Sequence, residues 1–469
     1  MTTALLGSAA DVPQTATGCL PGGLRVTAVR LATVARVEMR LTLPLPLPDA
    51  GTRDDTDRPT RSVAAARAAV LAACLLRGST ATDGVGVETA LGRIGADVAP
   101  LADAGRLVLR GGVLSGGLGD LLRLLAGAVT TMTYSDDEVA AARTVLAGQA
   151  AVIGMRPEAA VRALLHRQAP DRPGDPTEPP TPRLMAAVTA EEVRALHARA
   201  LRPAHARLVL VGDLDPDRAI GEARAAFAGW SARTPPGSPP VPGGPLPSPP
   251  ADPRASGLVG WYPAVREDTA QVLLCSVGDD LPLTPALRLA CLAFGGHPES
   301  RTAASLRERH GYTYAVRAWP ENGGTVGRGA GRQTRPGHRL FVGADTAPTK
   351  ARALLECLGE ELARMVSEPP SATEVERART RLAGASLTAW STQTGLADAL
   401  ADPSPGAPAD PGRLRTALDT LMRTSTDAVA AAAREAFSPG RFTGVVAGAA
   451  QATPATSRHW TFRTAPSAR

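Results

Sequence analysis

Lysine is almost missing from this 469-residue chain: Lys350 is the only one among 51 basic residues, and the rest are arginines. Aromatic residues make up 3%. The arginines are scattered among acids, so neither a basic stripe nor a stacking platform is present. Nucleic-acid binding is therefore not expected, in spite of a formal charge of +6 and a pI near 9.5. Arginine in place of lysine, with abundant Ala, Gly and Pro, has the look of a G+C-rich genome. No apolar run approaches the roughly 20 residues that span a bilayer, so no membrane segment is expected.

Cysteine is also sparse. Cys19, Cys74, Cys275, Cys291 and Cys357 are odd in number, lack CxxC spacing and mostly sit in apolar runs, where the thiol is a small hydrophobe. A reducing compartment is the simplest reading. Met1 to Pro21 has neither the cationic start nor the apolar core of a secretory signal, and the faint lipoprotein-like Ala16–Cys19 lacks that core too. A cytoplasmic protein is expected. Of the seven histidines (His166, His197, His205, His297, His310, His338 and His459) no two are four apart, so neither H-E-x-x-H nor H-x-x-E-H occurs.

What is present is an ordinary globular composition, 44% hydrophobic and 20% charged, at a length that exceeds one core. Thr234 to Pro253 is mostly Pro, Gly and Ser and can neither pack nor form a helix. It divides the chain into domains over 1–232 and 258–469, with a linker over 233–257.

The two pieces repeat each other. Thr189-Ala-Glu-Glu-Val193 opens a helix with a capping box, Arg202-Pro203 stops it, and Leu208–Gly212 follows as a buried strand; in the second piece Ser425–Val429 opens a helix, Ser438-Pro439 stops it and Gly444–Gly448 reads as the strand. One offset of 236 separates Thr189 from Ser425, Pro203 from Pro439 and Gly212 from Gly448. Earlier, Val37–Leu43 alternates apolar and polar residues as a half-buried strand does, with Gln271–Cys275 in the comparable place. Each strand precedes an Ala/Leu-rich helix ending in glycine, Ala64–Gly78 and Pro285–Gly295, and capping boxes at Ser135/Glu138 and Ser371/Glu374 announce further helices. The fold class expected is α+β, two homologous α/β sandwiches of shared topology. Arg110–Gly119 is glycine-rich but lacks the G-K-[ST] ending of a phosphate loop, and reads as a strand end turning into a helix.

Leu20-Pro-Gly-Gly-Leu-Arg-Val26, Leu75-Leu-Arg-Gly-Ser-Thr80, Val209-Leu-Val-Gly-Asp213 and, most strongly, Leu306-Arg-Glu-Arg-His-Gly-Tyr-Thr-Tyr314 are similar to motifs of the insulinase, or pitrilysin-like, peptidase family. The resemblance covers nearly the whole chain and implies an insulinase-like half-clamshell. Active members carry H-x-x-E-H on the first long helix, two histidines on one face holding zinc and a glutamate acting as base. Anchored on Leu-Arg-Gly-Ser-Thr, those positions here are the degenerate Val70, Ala73 and Cys74, and Val145–Gln149 offers no glutamate as third ligand. Catalytic zinc needs three protein ligands, so no cofactor is expected in this chain. A nucleophilic Cys74 is the competing reading of that position, against a buried core thiol.

In the resembled family an arginine/tyrosine pair from a C-terminal half binds the substrate backbone near the zinc of the other lobe. Arg307 and Tyr314 are the matching residues. A guanidinium fork and a phenol are suitable donors to a peptide carbonyl gaining charge. Taken without that frame, Arg307 is a solvated helix-end arginine and Tyr314 a core aromatic on a strand. Tyr312, two residues earlier on the same expected strand, reads as packing, and His310 as an exposed turn residue. Phe294-Gly-Gly296 stands where the family has a glycine-rich loop, with a helix cap at Gly295 and Gly296 as the plainer alternative.

The resemblance implies a non-catalytic, substrate-binding subunit of a heterodimeric zinc metallopeptidase. Its partner would be an H-x-x-E-H-bearing subunit that holds the zinc, and its substrate a peptide, with the leader peptide of a ribosomally made natural product as the candidate. The alternatives are a purely structural metal-free homologue in a larger complex and a stand-alone enzyme built on Cys74.

Overall fold

The two repeats each lay down a six-stranded mixed sheet. The computed structural model describes residues 13–45, 61–77, 86–102, 105–168, 180–230, 256–263, 268–278, 281–326, 335–401, 409–448 and 457–464; the expected linker Thr234–Pro253 and the stretch Gly78–Thr80 lie outside them. The first sheet contains β1 (Thr15–Cys19), β2 (Arg25–Arg30), β3 (Arg36–Pro44), β4 (Asp97–Ala102), β5 (Arg106–Leu114) and β6 (Arg207–Gly212), in the order β1-β2-β6-β3-β5-β4. The second contains β7 (Leu258–Tyr262), β8 (Ala270–Ser276), β9 (Val316–Val326), β10 (Arg335–Thr346), β11 (Phe442–Ala447) and β12 (Thr461–Thr464), in the order β12-β7-β11-β8-β10-β9.

The pairings match strand for strand. β6 runs parallel to β2 and antiparallel to β3, and β11 runs parallel to β7 and antiparallel to β8. The sheets differ at one edge, where β1 is antiparallel to β2 but β12 is parallel to β7. The helix pair at offset 236 is also observed: Ala190–Ala200 follows its cap Thr189 and Thr426–Ala436 follows its cap Ser425. Thr189 and Glu192 form the reciprocal capping box, whereas Ser425 is followed at the third position by Ala428, which cannot return the bond. The boxes at Ser135/Glu138 and Ser371/Glu374 are formed as well.

Two compact units divide the chain: Met1–Ala150, Pro179–Gly244 and Ala385–Asp419 form one, and Ala151–Glu178, Pro245–Gly384 and Thr420–Arg469 the other. Each unit therefore includes a helical segment from the far side of the Pro-rich stretch. In the first unit, helix Gln393–Ala401 packs on β3 and β6; in the second, helix Pro157–Gln168 packs on the equivalent β8 and β11. The opposite face of the first sheet carries the main core, where Val37, Met39, Leu41 and Leu43 of β3 meet Val70, Leu71, Cys74 and Leu75 of helix Arg61–Leu75. Each such aliphatic side chain contributes roughly 1.5–3 kcal/mol by leaving water.

This packing corrects the half-buried reading of β3. Glu38, Arg40 and Thr42 alternate with the core residues as expected, yet all three are buried, because helix Gln393–Ala401 covers their face. The covering is apolar over β2 and β6, where Leu396, Ala397 and Leu400 cluster with Val29, Val209 and Val211, and polar over β3. Arg40 ion-pairs with Glu38 at 3.1 Å and with Asp398 of that helix at 2.6 Å, and the Gln393 amide donates to the carbonyls of Leu31, Val34 and Arg36.

Candidate functional site

In the first unit, Val70 and Cys74 sit one helical turn apart on helix Arg61–Leu75, the spacing that would aim two ligands at one ion. Both point into the core, 0% and 1% exposed. Burial pushes the Cys74 thiol up to about 11, with Glu138 adding to the effect, so the sulfur is protonated at neutral pH and is a poor nucleophile. Among the described residues no three His, Cys, Asp or Glu side chains cluster so as to hold a metal ion. The donor set does not fit zinc. Val145–Gln149 lies in helix Asp136–Gly154 with Val145 and Gln149 exposed and no carboxylate among them.

Ala73, at the position of the family's general base, faces a different environment. It is half-buried and opens on a cleft of about 1090 Å³ lined also by Arg36, Glu38, Arg40, Arg77, Glu88 and Asp398. Its floor is the ion-pair array of β3, where Arg36 binds Glu38 at 2.8 Å and also pairs with Asp97.

Close by lies a buried polar pair that the sequence reading did not anticipate. The Tyr134 hydroxyl lies 2.7 Å from His197 Nδ1. Burial raises the phenol and lowers the imidazole, so both are neutral at pH 7. The phenol donates to Nδ1, and the ring's other bond goes to the backbone of Val129.

In the second unit, Leu306–Tyr314 runs from a π-helical turn, Ala303–Arg309, into an irregular loop that ends where β9 begins at Val316. The expected strand over Tyr312 and Tyr314 is therefore corrected to a loop. Thr313, not Tyr314, turns inward there and exchanges bonds with Ala315 through its hydroxyl. Tyr314 is 85% exposed, and its hydroxyl has no hydrogen-bond partner among the described residues. The core-aromatic reading of Tyr314 does not hold. Arg307 is partly exposed, and among the described residues its guanidinium bonds only the neighbouring, mostly exposed Glu308, at 2.9 Å.

The loop is nonetheless held in place. Thr346 on β10 donates to the Tyr312 carbonyl at 2.5 Å, Lys350 to the Gly311 carbonyl at 2.8 Å, and the exposed His310 ring stacks on Tyr312 with centroids 5.0 Å apart. Gly295 caps helix Pro285–Phe294 and lies so near β9 that a Cβ would stand 2.9 Å from the Val316 carbonyl oxygen. Gly296 takes a positive φ of 99°, which favours glycine, and donates to that same oxygen at 2.8 Å. The glycine pair thus pins the helix end beside the loop that bears Arg307 and Tyr314. Arg301 anchors the same region by a bidentate pair with Glu374, at 2.6 and 3.0 Å.

Residues 187–382 match the family model described as Peptidase M16 inactive domain. A solved structure of a peptidase M16 inactive domain from Pseudomonas fluorescens superposes with a TM-score of 0.72 at 18% identity, covering 94% of this chain and 99% of that one. The chain has the M16-like two-domain fold. A protease from Helicobacter pylori (TM-score 0.71, 15% identity, 93% and 100% covered) shares this fold, as does the periplasmic protease PqqL from Escherichia coli (0.67, 14%, 94% and 48%). Among curated proteins none matches in sequence. The matched stretch is thus similar to the inactive domain of the M16, or pitrilysin/insulinase-like, peptidases, and the likeness to the solved structures is one of fold. The M16-matched stretch holds Gly295, Gly296, Arg307 and Tyr314, while Val70, Ala73 and Cys74 precede it. Among the described residues no helix of this M16-like chain is long and apolar enough to cross a membrane, and no two cysteines are joined in a disulfide.

Proposed function

We propose that this M16-related chain is the zinc-less, peptide-binding subunit of a two-chain metallopeptidase. Its partner supplies H-x-x-E-H, the metal and the general base. The observation that carries the reading is a contrast between the two units. Where ligands would stand, the first offers a buried valine and a protonated buried thiol, whereas the second presents two hydrogen-bond donors that the fold hardly uses. A phenol 85% exposed buries little surface, and an arginine whose one ion pair among the described residues is with an exposed sequence neighbour contributes about 1 kcal/mol or less. Both are suited to bind a peptide carbonyl whose oxygen gains charge during cleavage.

In this reading the chain alone cleaves nothing, and Gly295 and Gly296 fix the loop on which Arg307 and Tyr314 stand. Mostly buried cysteines outside any disulfide fit a reducing compartment. Removal of a leader peptide from a ribosomally made natural product is the substrate proposed.

The test is reconstitution with an H-x-x-E-H-bearing protein, most simply one encoded beside this chain. Cleavage by the mixture only is the expected result; cleavage by this chain alone, or stoichiometric zinc bound to it, refutes the proposal.

A further inference from the structure

The loop that carries Arg307 and Tyr314 holds more positive charge than its ion pairs consume. Along 307–317 the charged residues are Arg307, Glu308, Arg309 and Arg317, and Lys350 is fastened to the same loop through Gly311. Glu308, the single acid, is taken by Arg307. Arg309 and Arg317 are exposed and ion-paired to nothing among the described residues. Lys350, the one lysine of the chain, spends one donor on a carbonyl and is itself exposed. Beside these cations stands the exposed ring of Tyr314.

We infer that this surface receives an acidic peptide segment, with Arg309, Arg317 and Lys350 pairing with carboxylates that flank the bond presented to Arg307 and Tyr314. The inference rests on the peptide-binding reading above and adds the class of peptide. The guanidiniums match carboxylates bidentately, and exposed cations that no ion pair holds among the described residues are open to an anionic partner, although Glu360 and Glu361 lie within electrostatic range of the same Cys357 thiol as Arg309. Single-stranded nucleic acid would need a series of ring faces along a groove. Here His310 and Tyr312 cover one another and only Tyr314 stands free.

The test uses the full chain, alone and mixed with the partner, and three labelled peptides of equal length: one rich in Asp and Glu, its Asn/Gln counterpart, and a Lys-rich one. Binding is read by fluorescence anisotropy at about 50 and about 300 mM salt. The acidic peptide is expected to bind about five- to tenfold more tightly than its neutral counterpart at low salt, with most of that margin lost at high salt. Arg309→Ala with Arg317→Ala should remove the margin while leaving neutral-peptide affinity and the thermal midpoint unchanged.

Equal binding of acidic and neutral peptides, or a margin that survives the double substitution, overturns the inference and leaves peptide binding standing. An oligodeoxythymidylate that competes as well as the acidic peptide overturns it in favour of nucleic acid. If no peptide binds in either setting the inference fails, and the peptide-binding reading fails with it if cleavage by the mixture also ignores Arg307 and Tyr314.

Discussion

Arg40 on β3 and Asp398 on helix Gln393–Ala401 are 358 positions apart in the chain and 2.6 Å apart in the fold. Arg40 is buried while Asp398 is mostly exposed, so the two ends of this pair carry unequal weight. Asp398→Ala should cost about 1 kcal/mol, because water replaces an exposed carboxylate. Arg40→Ala should cost about 3 kcal/mol, because Glu38 then stays buried with one partner fewer. Urea denaturation of both variants measures the difference, and equal losses would contradict this account of the covered sheet face.

Putting the family's ligands back should not restore a metal site. Val70→His with Ala73→Glu and Cys74→His places two imidazoles in a packed core, at a cost of several kcal/mol, with no carboxylate along Val145–Gln149 of helix Asp136–Gly154 to serve as third ligand. The expected outcome is a lowered thermal midpoint and no zinc by elemental analysis; one zinc per chain at an unchanged midpoint would show that the face is still shaped for an ion.

Glu374 reports on the anchor behind the Arg307 loop. Burial by itself would raise its carboxyl, but the Arg301 fork and Ser371 overcome this and hold it down from 4.5 to about 2. A depressed carboxylate contributes stability that is complete above pH 4.5 and is lost as pH falls through 2. Between those values the wild type should lose up to about 3 kcal/mol that Glu374→Gln does not lose. Parallel acid titrations of unfolding free energy give the comparison.

Tyr134→Phe removes the donor to His197 Nδ1 and should cost about 1–2 kcal/mol. Burial depresses the His197 imidazole below 6.5, so its contribution is present above that pH and declines as pH falls below it. A calorimetric pH series on the wild type and His197→Gln checks this: the variant's midpoint should fall less between pH 7 and pH 5.

The sequence reading reached the repeat, the strand pairs and the helix caps because each is written in local residues: Thr189 with Glu192, the Leu-Val-Leu-Val of β6, a proline after each matched helix. It misjudged β3 and the Tyr312–Tyr314 stretch for one shared reason. Alternation in β3 says which residues share a face but not what covers it, and the cover, helix Gln393–Ala401, comes from more than 340 residues downstream. Likewise Tyr-Thr-Tyr has strand propensity, yet Lys350 and Thr346 hold the backbone as a loop. The Tyr134–His197 pair left no motif, since its members are 63 residues apart. The lack of a histidine pair was legible in the sequence, and the structure adds that Val70 and Cys74 point into the core while Ala73 opens on a cleft.

The central claim, that this chain lends donors to a metal held by another, is tested most directly by the turnover of a reconstituted pair carrying Tyr314→Phe. Losing one donor to a developing oxyanion should lower kcat about 100-fold or more, with little change in KM or in complex formation. A kcat equal to that of the wild-type pair would mean that Tyr314 plays no part in cleavage and that the account is wrong.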